Sequence, residues 1–327
     1  MYVLGIETSC DETSVSVVKD GRSILSNVVS SSLAFHKKYG GIIPEIASRM
    51  QLGTITQVAE TAVRQARISL KDIDLVSVTS GPGLAGSLLV GISFAKSVAL
   101  SLGVPLLGIN HLASHIYANF LNGSAIRFPF VALVVSGGHT SLFYVRDFDK
   151  IKILGETQDD ACGEAFDKVA RILALGYPGG PFIERLARQG DAKKIKFRCS
   201  GTKNPLDFSF SGIKTAVLYS VQERRPTVDE KADIAASFQE TVIDTLVKKS
   251  FLACKLKKVN TLLVGGGVAA NNRLRDKFLR EAKAEGRDCF LPPKELCMDN
   301  AAMVAGLGFR LFKKGVIAGL DLTVQLD

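Results

Sequence analysis

Two histidines four residues apart are the part of the sequence best suited to metal chemistry. His111 and His115 belong to the segment NHLASH, and this spacing places both imidazoles on the same side of a helix. The whole chain has 4 histidines, so half of them form this pair. Two neutral imidazoles at this spacing can bind one first-row metal ion. Two surface or capping histidines would show the same spacing, and the pattern alone leaves both interpretations open.

A metal bound by two imidazoles needs a carboxylate to complete a three-residue ligand set. Asp299, in CMDNAAM at the start of the last predicted helix, is the candidate. Asp is also a frequent helix N-cap, and the sequence does not decide between the two roles. The same histidine spacing occurs in zinc peptidases, which need Glu directly after the first His as general base. Leu112 occupies that position, which disfavours a peptidase of that type.

Acidic residues cluster in two further motifs. Glu7, Asp11 and Glu12 lie at the first turn, and Glu164 and Asp167 stand three apart near a predicted helix start. Carboxylates at a strand end can hold a metal, a ribose hydroxyl or an amine. Helix capping and surface charge are the alternative roles.

Three glycine-rich turns follow predicted strands, at residues 81–83, 137–138 and 265–267. Glycine lets backbone N–H groups approach phosphate oxygens, and a following helix adds its positive N-terminal end. None of the turns matches the P-loop or the dinucleotide-binding fingerprint. Three such turns in one chain favour a nucleotide or adenylate ligand.

The elements that position these residues follow from hydrophobic periodicity and turn signals. In the first half we predict a strand YVLGIE, a hairpin turning at Asp20-Gly21, a helix from Pro44 to about Ala66, a strand DLVSVTS, a helix to about Leu102, a strand PLLGIN and a helix carrying the histidine pair. In the second half we predict two strands in FVALVVSGGHTSLFYV, a helix ACGEAFDKVARILAL, an irregular region at about 190–212, helices at about 212–222 and 229–256, a strand, glycine turn and helix from TLLVGGG onward, and a last helix at about 300–314.

Both halves open with paired strands, which predicts an α/β protein of two lobes, each with a mixed sheet, and a ligand cleft between them. We assign 1–125 to the N-terminal lobe, 126–298 to the C-terminal lobe, and 299–327 to a helix that returns to the first lobe. A chain of 327 residues is too long for one core and suits two.

Composition predicts a soluble cytoplasmic protein. Apolar residues make up 46% and charged residues 22%, and Met1 leads into a strand without a basic signal region. Gly, Ser or Lys interrupts the apolar stretches before they reach the length of a membrane span. The 6 cysteines contain no C-x-x-C pair, which indicates reduced structural thiols.

The net charge of +9 favours a polyanionic partner. Two basic segments can meet phosphates or remain solvated: Lys193, Lys194, Lys196, Arg198 and Lys203, and Arg273, Arg275 and Lys277.

Long motifs together give a resemblance to one family. GIETSCDETSVSVV, HKKYGGIIPEIASR, NHLASH, VSGGHTSL, GEAFDKVARILALGYPGGP, FSFSGIKTAV, GGGVAANNRLR and CMDNAAM resemble, in order and spacing, the tRNA adenosine threonylcarbamoyltransferases (TsaD, formerly Gcp). The resemblance covers essentially the full length. SGGHT replaces the archaeal SGGNT, and Val134 stands where archaeal relatives have a metal-binding Tyr, so the variant resembles the bacterial enzymes and a three-residue ligand set is expected.

The resemblance implies an actin-like ATPase (ASKHA) fold and transfer of a threonylcarbamoyl group from threonylcarbamoyl-AMP to the exocyclic amine of the tRNA adenosine 3′ of the anticodon. It implies that His111, His115 and Asp299 bind Fe²⁺, with zinc as an alternative, and that Asp11 and Glu12 lie near the reacting end as catalytic candidates. Donor binding is implied for Val134, Val135, Ser136, Gly137, Gly138, Asp167, Gly180, Glu184 and Asn271.

The resemblance also implies partners: tRNA, a paralogous TsaB-like subunit that lacks the metal ligands, and a small TsaE-like ATPase, with no membrane. Apolar residues within 44–66 can supply the face for the paralogue or pack into the core. Three rival functions are an ATP-driven binding module without transfer chemistry, a carbamoyltransferase acting on a small molecule, and the metallopeptidase that Leu112 disfavours. The histidine pair discriminates against the binding module, because such a fold does not otherwise need it.

Overall fold

The chain folds into two α/β units in a computed structural model that describes residues 1–121, 123–222 and 226–325. Unit 1 combines Met1–Ile126 with Met298–Asp327, and unit 2 is Arg127–Cys297. The two sheets have five strands each. The α/β class with mixed sheets, predicted from the sequence, is confirmed.

The strands are β1 Tyr2–Glu7, β2 Glu12–Lys19, β3 Ser23–Ser31, β4 Ile73–Gly81, β5 Leu106–Asn110, β6 Phe130–Val135, β7 Thr140–Asp147, β8 Lys150–Glu156, β9 Thr261–Gly265 and β10 Asp288–Phe290. The helices are α1 Leu33–His36, α2 Pro44–Ala66, α3 Ala85–Leu102, α4 His111–Tyr117, α5 Cys162–Ile172, α6 Gly179–Ala187, α7 Ser211–Gln222, α8 Val228–Lys257, α9 Asn272–Glu285 and α10 Ala301–Phe312.

The two sheets share one topology. In unit 1 the order is β3-β2-β1-β4-β5, and in unit 2 it is β8-β7-β6-β9-β10. Each sheet begins with an antiparallel meander of three strands, and each adds two parallel strands beside the first strand of that meander. The carboxyl ends of the parallel strands are where α/β folds bind ligands.

The predicted hairpin is present. β2 pairs antiparallel with β3, and the turn residues Asp20 and Gly21 have φ angles of 51° and 71°. Positive φ at both central residues is the hairpin turn whose twist matches that of the flanking strands, and an Asp-Gly pair accommodates it best.

Helix α2 begins at Pro44, in the first helical position, where its missing N–H removes no hydrogen bond. Its buried apolar residues pack with α3 and the sheet in the core of unit 1: Ile55, Val58, Ala59 and Ala62. The core therefore takes up most of the apolar stripe on α2. Leu52 on the same helix is exposed.

Helix α3 corrects the expectation that no apolar stretch reaches the length of a membrane span. Its 18 residues have a mean hydropathy of 1.6, so in length and composition it matches a membrane span despite the glycines and lysine within it. Its buried face includes Ile92, Ala95 and Ala99, which pack in the core of unit 1. A helix with one face in a protein core passes the same test, and α3 is weak support for a membrane span.

The alternation of side chains along β1 places Gly5 and Glu7 on the sheet face that α10 covers. Leu4 and Ile6 point into the core shared with α2, so Gly5 and Glu7 point to the opposite face. A Cβ on Gly5 would lie 2.2 Å from the carbonyl oxygen of Ala301. Only glycine allows α10 to approach the sheet this closely.

The region predicted to be irregular has neither helix nor strand between α6 and α7. Asp159 anchors its end, accepting hydrogen bonds from Ser209 Oγ at 2.5 Å, the Phe210 amide at 2.7 Å and Ser211 Oγ at 2.7 Å. These donors hold the pKa of Asp159 below its usual value although burial would raise it. The segment before α7 is therefore fixed without regular structure of its own.

Candidate active site

Helix α4 carries both histidines, His111 as its first residue and His115 one turn later. Asn110 ends β5 and caps the helix, accepting a hydrogen bond from the Ala113 amide at 2.9 Å. His111 and His115 are 4% and 0% exposed, and their ring centroids lie 4.7 Å apart. The alternative of surface or capping histidines is therefore wrong, because both are buried and Asn110 provides the cap.

Asp299 directly precedes α10 and reaches both imidazoles. Its Oδ1 lies 3.1 Å from Nε2 of His115 and 3.7 Å from Nε2 of His111. The N-cap of α10 is Asn300, whose Oδ1 accepts a hydrogen bond from the Met303 amide at 3.2 Å. Asn300 therefore caps α10, and the alternative role of Asp299 as the helix cap is wrong.

The three side chains suit a transition-metal ion. One ligand atom from each of His111, His115 and Asp299 lies within 4.8 Å of the others. Ligand atoms held ~2.1 Å from one tetrahedral metal are roughly 3 to 4 Å apart. Among the described residues, neither ring nitrogen of His115 has a hydrogen-bond partner, although both are buried. Its Nε2 is close to Asp299 without hydrogen-bond geometry, as expected when both atoms point at a common third atom.

His111 is held from its other side by a buried carboxylate. Nδ1 of His111 lies 3.1 Å from Oε2 of Glu7, which is fully buried. Burial alone would lower the pKa of His111, but the negative charges of Glu7 and Asp299 raise it to about 9. Burial alone would raise the pKa of Glu7, and the charge and hydrogen bond of His111 lower it.

Of the predicted catalytic carboxylates, Asp11 lies on the loop between β1 and β2, and Glu12 is the first residue of β2. Gln51 of α2 holds this loop, because its Nε2 donates to the carbonyl oxygens of Cys10 and Glu12 at 2.9 Å each. Burial, followed by the negative charges of Asp299 and Asp11, raises the pKa of Glu12 well above its usual value. The same effects raise the pKa of the Cys10 thiol, which disfavours a reactive thiolate there.

In unit 2, the turn between β6 and β7 forms an open glycine loop. The Ser136 amide donates to the His139 carbonyl oxygen at 2.8 Å, and the Gly163 amide donates to the Ser136 carbonyl oxygen at 3.1 Å. Gly137 and Gly138 are exposed, with open space where a side chain would stand. Their backbone is therefore accessible to a ligand, at the end of the buried strand that contains Val134 and Val135.

Asp167 and Gly180 meet at the start of α6. The carboxylate of Asp167 accepts a hydrogen bond from the Gly179 amide at 2.6 Å and another from the Gly180 amide. Burial raises the pKa of Asp167, and these two hydrogen bonds oppose that rise. Asp167 of α5 and Gly180 of α6, both predicted to bind threonylcarbamoyl-AMP, are thus joined directly by a hydrogen bond.

Glu184 of α6 contacts the start of α9, where Asn271 is the helix cap. Glu184 Oε1 accepts a hydrogen bond from Nδ2 of Asn272 at 2.5 Å. Asn271 caps α9 through the Leu274 amide at 3.0 Å and donates from Nδ2 to Gln239 Oε1 at 2.8 Å. Both functional atoms of the Asn271 side chain therefore have protein partners.

A cavity of about 400 Å³ opens beside this contact. Sequence reasoning named Glu184 and, within a basic segment, Arg273, but it missed the other charged and polar residues that line the cavity: Arg188, Gln239, Glu240, Asn272 and Asp276. Their helical positions on α6, α8 and α9 converge only in the folded unit, so spacing in the sequence gave no signal for them.

Comparison with known proteins decides the family. The profile described as "TsaD: tRNA N6-adenosine threonylcarbamoyltransferase" matches residues 23–306. The enzyme of that description from Thermosipho africanus (strain TCF52B) is 53% identical over 317 residues, which cover 97% of this chain and 96% of the relative. The relative from Dictyoglomus turgidum (strain DSM 6724 / Z-1310) is 50% identical over 333 residues, covering 100% and 98%. The chain belongs to the TsaD family.

Solved structures agree on the fold of this TsaD-family chain. HypF from T. kodakarensis superposes with a TM-score of 0.64 at 15% identity, over 96% of this chain and 48% of HypF. Full-length HypF in its phosphate- and nucleotide-bound form gives a TM-score of 0.64 at 13% identity, over 96% and 46%. These similarities show the fold alone, and the fold is the actin-like ATPase fold that the sequence predicted.

The TsaD family is a family of transferases that modify tRNA, and it implies a metal cofactor. The buried imidazoles of His111 and His115, with the partly buried carboxylate of Asp299, form a site that could hold that metal. Sequence reasoning placed Glu7 among the acidic residues of the first motif but missed its contact with His111. The contact depends on the pairing of β1 with β4 and of β4 with β5, which precedes His111, and no local spacing encodes this pairing.

Proposed function

We propose that the chain transfers the threonylcarbamoyl group of threonylcarbamoyl-AMP to the exocyclic amine of the adenosine 3′ of the anticodon, in tRNAs that read codons starting with A. The observation that carries this proposal is the convergence of the buried His111 and His115 with the half-buried Asp299 in a chain of the TsaD family. The relatives are described as tRNA N6-adenosine threonylcarbamoyltransferases.

The reaction needs positioning and charge stabilisation more than a covalent intermediate. The adenosine amine attacks the carbamoyl carbon, a C–N bond forms, and the bond from that carbon to a phosphate oxygen breaks. AMP leaves with the electron pair, and the amine loses a proton to a base. Because adenylate is already a good leaving group, no enzymatic nucleophile is required, which is consistent with the raised pKa of the Cys10 thiol.

His111, His115 and Asp299 would hold the metal, which we propose to be Fe²⁺ with Zn²⁺ as an alternative, since nitrogen and oxygen ligands suit both ions. When bound, the metal supplies a Lewis acid that polarises the donor. The protein would contribute three ligands, two of them from buried imidazoles. A metal held by only three protein ligands would remain accessible to oxygens of the donor.

Residues of unit 2 would bind the adenylate part of the donor. The exposed backbone at Gly137 and Gly138 offers N–H groups to phosphate oxygens. Asp167, Gly180 and Glu184 lie along the connected helix starts beyond this loop. Asn271 would act indirectly, because its amide already caps α9 and bonds to Gln239.

Glu12 is the better candidate for the base, followed by Asp11. A carboxylate whose pKa is raised by burial and by neighbouring negative charges is a stronger base than an ordinary carboxylate. If Glu12→Gln and Asp11→Asn both transferred from supplied donor at the wild-type rate, neither carboxyl would be the base.

The partners we propose are tRNA, a TsaB-like paralogue and a TsaE-like ATPase, in the cytoplasm. The net charge of +9 supports the tRNA partner. The exposed Leu52 on α2 is compatible with a protein contact on that helix.

Reconstitution tests the proposal directly. The protein, loaded with Fe²⁺ under anaerobic conditions, is mixed with its partner subunits, synthetic threonylcarbamoyl-AMP and unmodified tRNA. Nucleoside mass spectrometry then measures N6-threonylcarbamoyladenosine. We expect product from the wild type and loss of product from His111→Ala and Asp299→Asn, because each change removes a metal ligand.

Asp20→Asn is the matched control for Asp299→Asn, because Asp20 is exposed and Asn tolerates its left-handed backbone conformation. This variant should keep full activity. Absence of product with the wild type would refute the transfer function. Equal product from His111→Ala and the wild type would remove the metal role and leave the transferase.

A further inference from the structure

Glu7 is a buried carboxylate for which neither the proposed chemistry nor the family comparison gives a role. It is 0% exposed at the end of β1, on the sheet face that α10 covers. A buried ionised carboxylate is unfavourable unless specific donors hold it. The donors that hold Glu7 therefore indicate why it is there.

Three groups converge on this carboxylate. Oε1 accepts a hydrogen bond from the Ser9 amide at 2.6 Å, and Oε2 accepts one from Thr79 Oγ1 at 2.6 Å. The third group is Nδ1 of His111, 3.1 Å from Oε2. Thr79 lies on β4, the parallel neighbour of β1, so the sheet itself fixes the orientation of the carboxylate.

Nδ1 of His111 has two neighbours that imply opposite tautomers. Ser9 Oγ lies 3.2 Å away and Glu7 Oε2 lies 3.1 Å away. A serine hydroxyl can donate to Nδ1, which would leave the proton on Nε2. An ionised carboxylate can only accept, which requires the proton on Nδ1 and leaves the Nε2 lone pair directed toward Asp299.

We propose that Glu7 is a positioning residue that fixes His111 as the Nδ1–H tautomer and thereby prepares Nε2 to bind the metal. This inference rests on the metal site of the proposed function. Partners of this kind orient a ligating imidazole and increase its basicity. His115 differs, because no described residue forms a hydrogen bond with its Nδ1. Glu7 therefore makes His111 the better-oriented imidazole of the two.

Binding of Co²⁺, used alone as the probe, measures this role without reference to catalysis. We expect Glu7→Gln to weaken Co²⁺ binding by roughly 10- to 100-fold and to alter the visible absorption of the bound ion. Ser9→Ala keeps the backbone donor to Glu7 and should bind Co²⁺ as the wild type does. If Ser9→Ala lost affinity and Glu7→Gln did not, Ser9 would be the partner that sets the tautomer.

Val17→Ala is the control for a general loss of stability, because Val17 is a buried residue of β2. It should lower the unfolding temperature without changing Co²⁺ affinity. Equal loss of affinity in Val17→Ala and Glu7→Gln would reduce Glu7 to a structural role. Failure of the wild type to bind Co²⁺ would instead refute the metal site itself, and the inference with it.

Nitrogen-15 NMR of the zinc-loaded wild type tests the inference even if Glu7→Gln does not fold. With 4 histidines in the chain, the imidazole nitrogens can be assigned individually. We expect a proton on Nδ1 of His111 and a metal-bound Nε2. A proton on Nε2, or metal bound through Nδ1, would overturn the inference.

Discussion

Asp299 and Asn300 are neighbours with different roles, and substitution separates them. Asp299→Asn should weaken Zn²⁺ binding by more than the roughly 10- to 100-fold typical of outer hydrogen-bond partners, because it removes a charged candidate ligand. Asn300→Ala should cost about 1 kcal/mol of stability through loss of the α10 cap and leave Zn²⁺ affinity nearly unchanged. Competition with a chromophoric chelator and urea unfolding measure the two effects. The reverse pattern would assign the cap to Asp299 and remove it from the metal site.

The sequence could predict which residue types meet at the site, but not their individual roles. The spacing of His111 and His115 fixes their common helix face, and Asp299 was the natural carboxylate. Whether Asp299 or Asn300 caps α10 depends on the backbone angles at the helix start. The role of Glu7 depends on strand pairing between distant segments, which a single sequence does not reveal.

Close packing of α10 on β1 predicts a large effect of one methyl group. Gly5→Ala places a Cβ 2.2 Å from the Ala301 carbonyl oxygen and 2.8 Å from Ala305 Cβ. The helix must shift, which should cost about 1–3 kcal/mol of unfolding free energy. Because Asp299 precedes α10, Zn²⁺ affinity should fall as well. Chemical unfolding and metal titration of the same variant measure both losses.

Gly53→Ala is the matched control on α2. Gly53 is exposed, and open space surrounds the position of the added Cβ. Alanine in a helix interior should stabilise the protein by about 0.5–1 kcal/mol relative to glycine. A Gly5→Ala variant as stable as the wild type would show that α10 can move freely relative to the sheet.

Helices α8 and α9 are joined by an ion-pair cluster that makes stability depend on pH. Glu240 accepts hydrogen bonds from Arg273 at 2.7 and 2.8 Å and from Lys277 at 2.6 Å. The hydrogen bonds from Arg273, opposed by burial and helped by Lys277, lower the pKa of Glu240 from 4.5 to about 2. A lowered pKa contributes stability above pH ~4.5 that is lost as pH falls through about 2.

Glu240→Gln should therefore reduce the unfolding free energy near pH 7 by about 1–2 kcal/mol, less than the full shift implies because the pair is partly exposed. The difference from the wild type should vanish as pH falls toward 2. Urea unfolding at several pH values measures it. Glu281→Gln, an exposed change on α9, should show no difference. A constant Glu240→Gln deficit at every pH would indicate lost packing rather than lost charge.

Strong local sequence signals predicted most of the helices and strands, and the helices and strands that were not predicted have weak signals. Pro44 marked the start of α2, and the Asp20-Gly21 turn marked the first hairpin. Strand β8 was not predicted, because it lies at a sheet edge with exposed positions. Helix α6 was not predicted either, because it begins with Gly-Gly-Pro, which also suits a turn. Strand β10 has only three residues, too few for a periodic pattern.

At the scale of the whole chain, one sheet topology occurs twice with different side chains at its strand ends. Both sheets use a three-strand meander followed by two parallel strands. The sequence showed that both halves open with paired strands, but strand order depends on long-range pairing that local propensity does not encode. Only unit 1, among the described residues, has a cluster of three potential metal ligands. The fold therefore does not determine the chemistry, and the side chains at the strand ends do.

Charge is the other property of the whole chain, and it is unevenly distributed. The segment 193–203 contains five cations and no acidic residue, in a chain whose net charge is +9. All five are exposed: Lys193, Lys194, Lys196, Arg198 and Lys203. Between them, Ile195 and Phe197 pack against the core of unit 2, so the alternation turns Lys194, Lys196 and Arg198 outward.

If this segment meets the tRNA backbone under the proposed function, removing its charge should weaken binding and reduce the salt dependence. We expect Lys194→Gln/Lys196→Gln to raise the Kd for tRNA and to lower the log–log salt slope by roughly 0.7–0.9 for each lost phosphate contact. Lys150→Gln/Lys152→Gln removes the same charge from exposed positions on β8 and is the control. Fluorescence anisotropy over a salt series measures both variants. Equal salt slopes for the two double variants would mean that tRNA binding depends on the overall charge of the molecule. A local contact would instead lower the slope only in the Lys194→Gln/Lys196→Gln variant.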